Sequence, residues 1–147
     1  MRSLLRPIAA AAFLASIAAL PRDLAAQSSG KWIGTIPTLG TVRGSADLEI
    51  SSRNEKQSRV KISFRNTARE QRLAWDIVAG RCRDEGAPIA PLAAFQQVMT
   101  TMDGGGSVSV NLPKLEPGKL YYFRVYDPQT APTDATAYGC ANISEQP

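Results

Sequence analysis

From Thr41 to Ile50 the even positions are Val42, Gly44, Ala46, Leu48 and Ile50, and the odd positions are Thr41, Arg43, Ser45, Asp47 and Glu49. A strict period of two belongs to a β-strand, whose successive side chains point to opposite faces. One face of this stretch is therefore buried and the other wet. The same alternation returns at Val60, Ile62 and Phe64, at Val108, Val110 and Leu112, and at Tyr121, Phe123 and Val125. Polar turn-forming stretches separate these runs: 51–57, 66–71, the glycine run Asp103-Gly-Gly-Gly106, and a loop holding Pro117-Gly118. Several short strands at regular spacing, with no long helical pattern, predict an antiparallel all-β domain. A two-layer Greek-key β-sandwich and a flattened barrel both satisfy the pattern.

Other segments complete the expected order. Lys31 to Ile36 reads as a first, edge strand ended by Pro37. Residues 72–79 form a strand with Leu73, Trp75, Ile77 and Ala79 toward the core and Arg72, Ala74, Asp76 and Val78 away from it. In the aromatic strand 120–126, Tyr122, Arg124 and Tyr126 face outward. Leu92, Phe95, Val98, Met99 and Met102 fit a helix or an extended segment against the sheet equally well. Ala137 to Ile143 reads as the last strand and Ser144 to Pro147 as a frayed end. The domain boundaries follow: residues 1–26 apart from the fold, 27–39 a lead-in, and 40–147 the β-sandwich domain.

The first 26 residues have another character. Arg2 and Arg6 precede an apolar run from Ile8 to Leu20, Pro21 breaks it, and Leu24-Ala25-Ala26 offers small residues before Gln27. That is the layout of a secretory signal peptide cleaved after Ala26. The rival reading is an uncleaved anchor, against which the apolar run is short of the ~20 residues a spanning helix needs. Export places the remainder in the periplasm or outside the cell, so the membrane is a partner only before cleavage. Two cysteines, Cys82 and Cys140, then make an even count in an oxidising compartment and point to one disulfide.

Of the formal net charge of +4, residues 1–26 hold three cations and one anion, which leaves +2. Residues 53–83 hold nine cations against three anions, and 84–147 hold three against seven. Such asymmetry marks either a solvated strand face or a surface for an anionic partner, such as an envelope polymer, with a protein as the other expected partner class. Export and a small net charge disfavour nucleic acid. The aromatics Tyr122, Tyr126 and Tyr138 are candidates for a patch that holds sugars or protein, and Asn142-Ile-Ser144 matches a glycosylation sequon.

The order of signals from 40 to 143 resembles the copper-zinc superoxide dismutase family and the related chordin-type (CHRD) domains. The residues that carry this are Gly44-Ser-Ala-Asp-Leu48, Trp75-Asp-Ile-Val-Ala-Gly-Arg-Cys82, Asp103-Gly-Gly-Gly-Ser-Val-Ser-Val110 and Gly139-Cys140-Ala-Asn-Ile143. The resemblance implies a Greek-key barrel with the two cysteines paired. By strand phase, Asp76 and Val78 occupy the positions of that family's copper-binding His-x-His pair. The chain has no histidine, and Thr136, Ala137 and Tyr138 stand where the family keeps an arginine before its second cysteine. A copper site that cycles between oxidation states needs nitrogen ligands, so dismutase activity is not expected.

Nucleophilic catalysis needs a Ser, Thr or Cys beside a base, and no such dyad is evident. Asp76, Asp84, Glu85 and Asp103 have no calcium-loop spacing. The expectation is an exported, non-catalytic domain with a binding or structural role, no catalytic residues, no metal site and no cofactor. The alternative is a metal-binding protein or enzyme of the dismutase-like superfamily using carboxylates. The candidate binding face is Arg72, Asp76, Arg81 and Arg83.

Overall fold

The computed structural model describes residues 30–147, so the expected signal peptide lies outside the described residues. Eight strands follow in order: β1 (Trp32–Ile36), β2 (Ser45–Ser52), β3 (Gln57–Arg65), β4 (Arg72–Ala79), β5 (Val98–Met99), β6 (Gly106–Pro113), β7 (Tyr121–Tyr126) and β8 (Ala137–Glu145). They form one antiparallel sheet in the order β5-β4-β7-β8-β1-β2-β3-β6. The sheet curls into a nearly closed, flattened barrel, with β5 and the start of β6 drawn together at the open seam. There Gly106 lies so close to Val98 and Met99 that a Cβ would stand 2.8 Å from the Val98 side chain.

The interior is what alternation demands. Ala46, Leu48 and Ile50 of β2, Val60, Ile62 and Phe64 of β3, and Val110 and Leu112 of β6 meet Leu73, Trp75 and Ile77 of β4 and Tyr121, Phe123 and Val125 of β7. Each fully buried side chain of this size contributes about 1.5–3 kcal/mol of transfer free energy. Trp75 packs edge-on against Phe95 at 5.2 Å, and its indole N–H donates to the Gln96 carbonyl at 2.8 Å. The 86–99 segment therefore runs along β4 in extended form, with a single 3-10 turn at Leu92–Ala94. Of the two conformations open for this segment, the extended one is adopted.

Four local expectations are corrected. The alternation beginning at Thr41 becomes strand only from Ser45, because Arg43 and Gly44 take positive φ (57° and 74°) in a turn. β1 is not an edge: it pairs with β2 from Trp32 to Ile36 and with β8 at Trp32 and Ile33. It is thus part of the barrel wall rather than of a lead-in. β8 continues through Ser144 to Glu145 because β1 offers a partner there. Ala79, placed toward the core by phase, is exposed at the end of β4.

Candidate functional site

The four residues of the expected binding face do not form one surface. Arg72 opens β4 and is exposed, whereas Arg81 and Arg83 are exposed in the turn beyond its other end. The strand between them separates the two groups by roughly 23 Å at about 3.3 Å per residue. Asp76 does lie on the non-core side of β4, but it is not exposed: its accessibility is 0%. None of the three arginines is its partner. The partner is Arg124, its register neighbour on β7.

The pair is bidentate, with Arg124 Nε donating to Asp76 Oδ1 and Nη2 to Oδ2, both at 2.9 Å. Nη1 donates to Asp134 Oδ1 at 3.1 Å. Asp134 belongs to the 127–136 loop, and its other oxygen accepts the backbone N–H of Arg83 at 2.6 Å. The Tyr122 hydroxyl stands 2.8 Å from the Asp84 carbonyl oxygen and 3.1 Å from Asp134 Oδ1, donating to one at a time. Two loops, 80–86 and 127–136, are thereby fastened across the outer face of β4 and β7. All six residues of β7 are buried, and Ala74, Asp76 and Val78 of β4 are buried with them.

The cysteines complete this fastening. Cys82 and Cys140 are joined in a disulfide, and Cys140 is opposite Arg124 in the β7–β8 register. The Cys82 N–H donates to Asn142 Oδ1 at 2.9 Å, so the sequon asparagine takes part in holding the same turn. The tyrosine patch is corrected as well. Tyr122 and Tyr126 are buried and Tyr138 is half-buried, its hydroxyl donating to Asp127 Oδ2 at 3.3 Å.

Electrostatics follow from this burial. Burial pushes the Asp76 carboxyl above the ordinary carboxylate range, and the Arg124 hydrogen bond and charge pull it only part of the way back. Burial by itself would depress the Arg124 guanidinium, but Asp76 and Asp134 more than offset this and raise it. Tyr122 is pushed up to about 12 by burial and then by the Asp134 carboxylate. Tyr126 reaches about 12 by burial and the nearby charge of Asp76. A network so enclosed holds charges in place rather than offering them to a ligand.

The exposed chemistry lies on the other layer. The outer face of β3 presents Arg59, Lys61 and Arg65, and that of β6 presents Ser107, Ser109 and Asn111. The register sets Arg59 against Asn111, Lys61 against Ser109 and Ser63 against Ser107. On the opposite side, β2 sets Asp47 and Glu49 against Ser63 and Lys61. Arg65 pairs with Asp47 at 3.2 Å, while Arg59 and Lys61 make no ion pair among the described residues. The face therefore grades from acidic at β2, through basic at β3, to neutral hydroxyl and amide groups at β6. The expected face took Arg72, Arg81 and Arg83 from the basic excess of 53–83, whereas Arg59, Lys61 and Arg65 are the members that share one strand face. The sequence signal for that shared face is the odd-numbered alternation Arg59, Lys61, Ser63, Arg65, which marks the wet side of a strand.

Among the described residues no group of three or more His, Cys, Asp or Glu side chains is placed to hold a metal ion. Comparison with protein-family models, with curated proteins and with solved structures finds no match.

Proposed function

We propose that this chain is an exported, non-catalytic binding domain whose outer β3–β6 face holds an extended acidic polymer, a carboxylated polysaccharide of the cell envelope. The observation that carries the reading is the row of exposed cations on β3, two of them without an ion pair among the described residues, beside a strip of serine and asparagine side chains on β6. Carboxylates spaced along a polymer would meet Arg59, Lys61 and Arg65, and sugar hydroxyls would meet Ser107, Ser109 and Asn111. The rigid sheet costs little conformational entropy on binding, which favours such shallow contacts. The disulfide is compatible with an oxidising compartment, and cleavage after Ala26 would deliver the domain there. A barrel with a Cys82–Cys140 link is compatible with the resemblance to dismutase-like and chordin-type domains, in which Asp76 and Val78 would stand at the ligand positions.

The test is binding of the purified oxidised protein to polygalacturonate, with dextran as the uncharged control. Saturable binding to polygalacturonate that weakens with added salt is expected, with little to dextran. Replacing Arg59, Lys61 and Arg65 together by Ala should weaken it about tenfold or more, since exposed charge contacts are individually worth only about 0.2–1 kcal/mol. Equal affinity for dextran, or a triple variant that binds like the wild type, overturns the reading.

A further inference from the structure

At the end of the barrel where β1 and β3 begin and β2 and β8 end, a cavity of about 290 Å³ is lined by Trp32, Ser52, Ser58, Lys114, Leu115 and Glu145, among others. Its polar groups are there by strand phase. Ile143 of β8 is buried in the core, and Glu145 follows it by two residues, so its side chain turns to the barrel interior. Ser58 precedes core residue Val60 by two and is itself buried. Trp32 forms one wall, with the Tyr121 ring set edge-on to it at 5.8 Å. Leu115 closes the side under the 114–119 loop.

Glu145 Oε1 is buried and has no hydrogen-bond partner. A buried carboxylate oxygen without a donor loses its hydration with nothing in return, and an ionised carboxylate can only accept. Lys114 lines the same cavity, yet its ammonium makes no ion pair with Glu145. A donor entering beside the aromatic wall and the two serine hydroxyls would satisfy Oε1, and a positively charged one would also meet the carboxylate's charge.

We propose that the barrel mouth is a binding site for a small organic cation, a primary ammonium or guanidinium group on a compact apolar body. The cation donates to Glu145 Oε1, Trp32 adds cation–π attraction, and Ser52 and Ser58 accept the remaining N–H groups. An anionic ligand would meet the Glu145 charge, and a metal ion would find one carboxylate where it needs several oxygen ligands. The volume sits at the lower end for ligand pockets, which suits a ligand of a few heavy atoms around one ring or short chain. This site is separate from the β3–β6 face, and its occupant carries the opposite charge to the polymer proposed there.

The two tryptophans make the test internally controlled. Trp32 lines the cavity, whereas the Trp75 indole N–H is tied to Gln96 in the core. In NMR titrations of the oxidised protein, benzylammonium should shift the Trp32 indole signal saturably and leave that of Trp75 in place. Benzyl alcohol should bind at least tenfold more weakly and benzoate not at all. Glu145→Gln should abolish the preference for the ammonium over the alcohol, and Lys114→Ala, which removes a competing like charge, should tighten benzylammonium binding several-fold. A flat Trp32 response, equal binding of the alcohol, or an unchanged preference in Glu145→Gln overturns the proposal. If Glu145→Gln does not fold, unchanged or weakened binding in Lys114→Ala does so alone.

Discussion

Asp76 and Arg124 face each other across β4 and β7 with side-chain accessibilities of 0% and 4%, and each is costly to bury without the other. Removing one member of such a pair typically costs about 3–5 kcal/mol, because the remaining charge is left in a poorly solvating interior. Arg124→Met should therefore lower unfolding free energy by about that much in chemical denaturation. The double variant Asp76→Leu/Arg124→Met should recover part of the loss, although Asp134 then loses a partner too. A double variant no more stable than the single would mean that the loss comes from the missing pair itself and not from a stranded Asp76 charge. The carboxyl also carries a pH signature. Its folded value is raised above the unfolded one by burial, so the folded state holds the extra proton across the interval between them. That contribution is fully present below the unfolded value and is lost as pH rises through the folded value. The stability of the wild type relative to Asp76→Asn should accordingly fall from acid toward neutral pH and then level off. A difference that grows with pH would reverse the sign of the shift. Strand phase put Asp76 on the outer face, and that much is legible from alternation alone. Its burial is not legible, because it depends on the β4–β7 register and on two loops without periodicity. An arginine amid the aromatics of 120–126 was the available hint.

At the scale of elements, the turns rather than the strands decide where the sheet can close. Gly104 and Gly118 have nearly the same backbone angle, φ of 76° and 78°, in very different surroundings. A Cβ on Gly104 would collide with the Thr67 carbonyl oxygen, whereas one on Gly118 meets nothing within 4 Å. Thr67 in turn is bound to this glycine, its N–H donating to the Gly104 carbonyl at 3.0 Å and its hydroxyl at 2.8 Å. Gly118→Ala should cost only the left-handed backbone strain of about 1–2 kcal/mol. Gly104→Ala should cost clearly more, since the contact is with backbone that cannot rotate away. Thermal or denaturant unfolding of the two variants side by side checks this, and equal losses would show that the Thr67 contact relaxes freely. The glycine run was readable as a turn from composition, but the approach of 66–68 to it is long-range and leaves no local mark. The same reason explains β1. Its five residues alternate clearly, yet which strands flank it depends on β8, more than a hundred residues away. The end of β8 is hidden for the complementary reason, as a polar tail carries no sign of the partner that orders it.

For the whole molecule the decisive constraint is the link from the turn after β4 to the middle of β8. Cys82 and Cys140 are separated by 58 positions, and the enclosed segment contains β5, β6 and β7, which span both layers of the barrel. On the chain-entropy view, closing a loop of that length removes roughly 4 kcal/mol worth of freedom from the unfolded chain. The native state is already held nearby by the Asp134–Arg83 and Asn142–Cys82 hydrogen bonds. The link therefore acts mostly on the unfolded state, and the barrel should survive its loss at reduced stability. For a domain of this size the corresponding fall in Tm is on the order of 10–15 °C. Cys82→Ser should show that fall in oxidising buffer, and wild type and variant should melt together once a thiol reductant is present. The variant should also exchange the Arg83 amide hydrogen faster than the wild type does, because the covalent tie from its turn to β8 is gone and only hydrogen bonds remain. Coincident melting in oxidising buffer would mean that the bridge does not form in solution, and unchanged protection at Arg83 would mean that the Asp134 and Asn142 hydrogen bonds hold the turn without it.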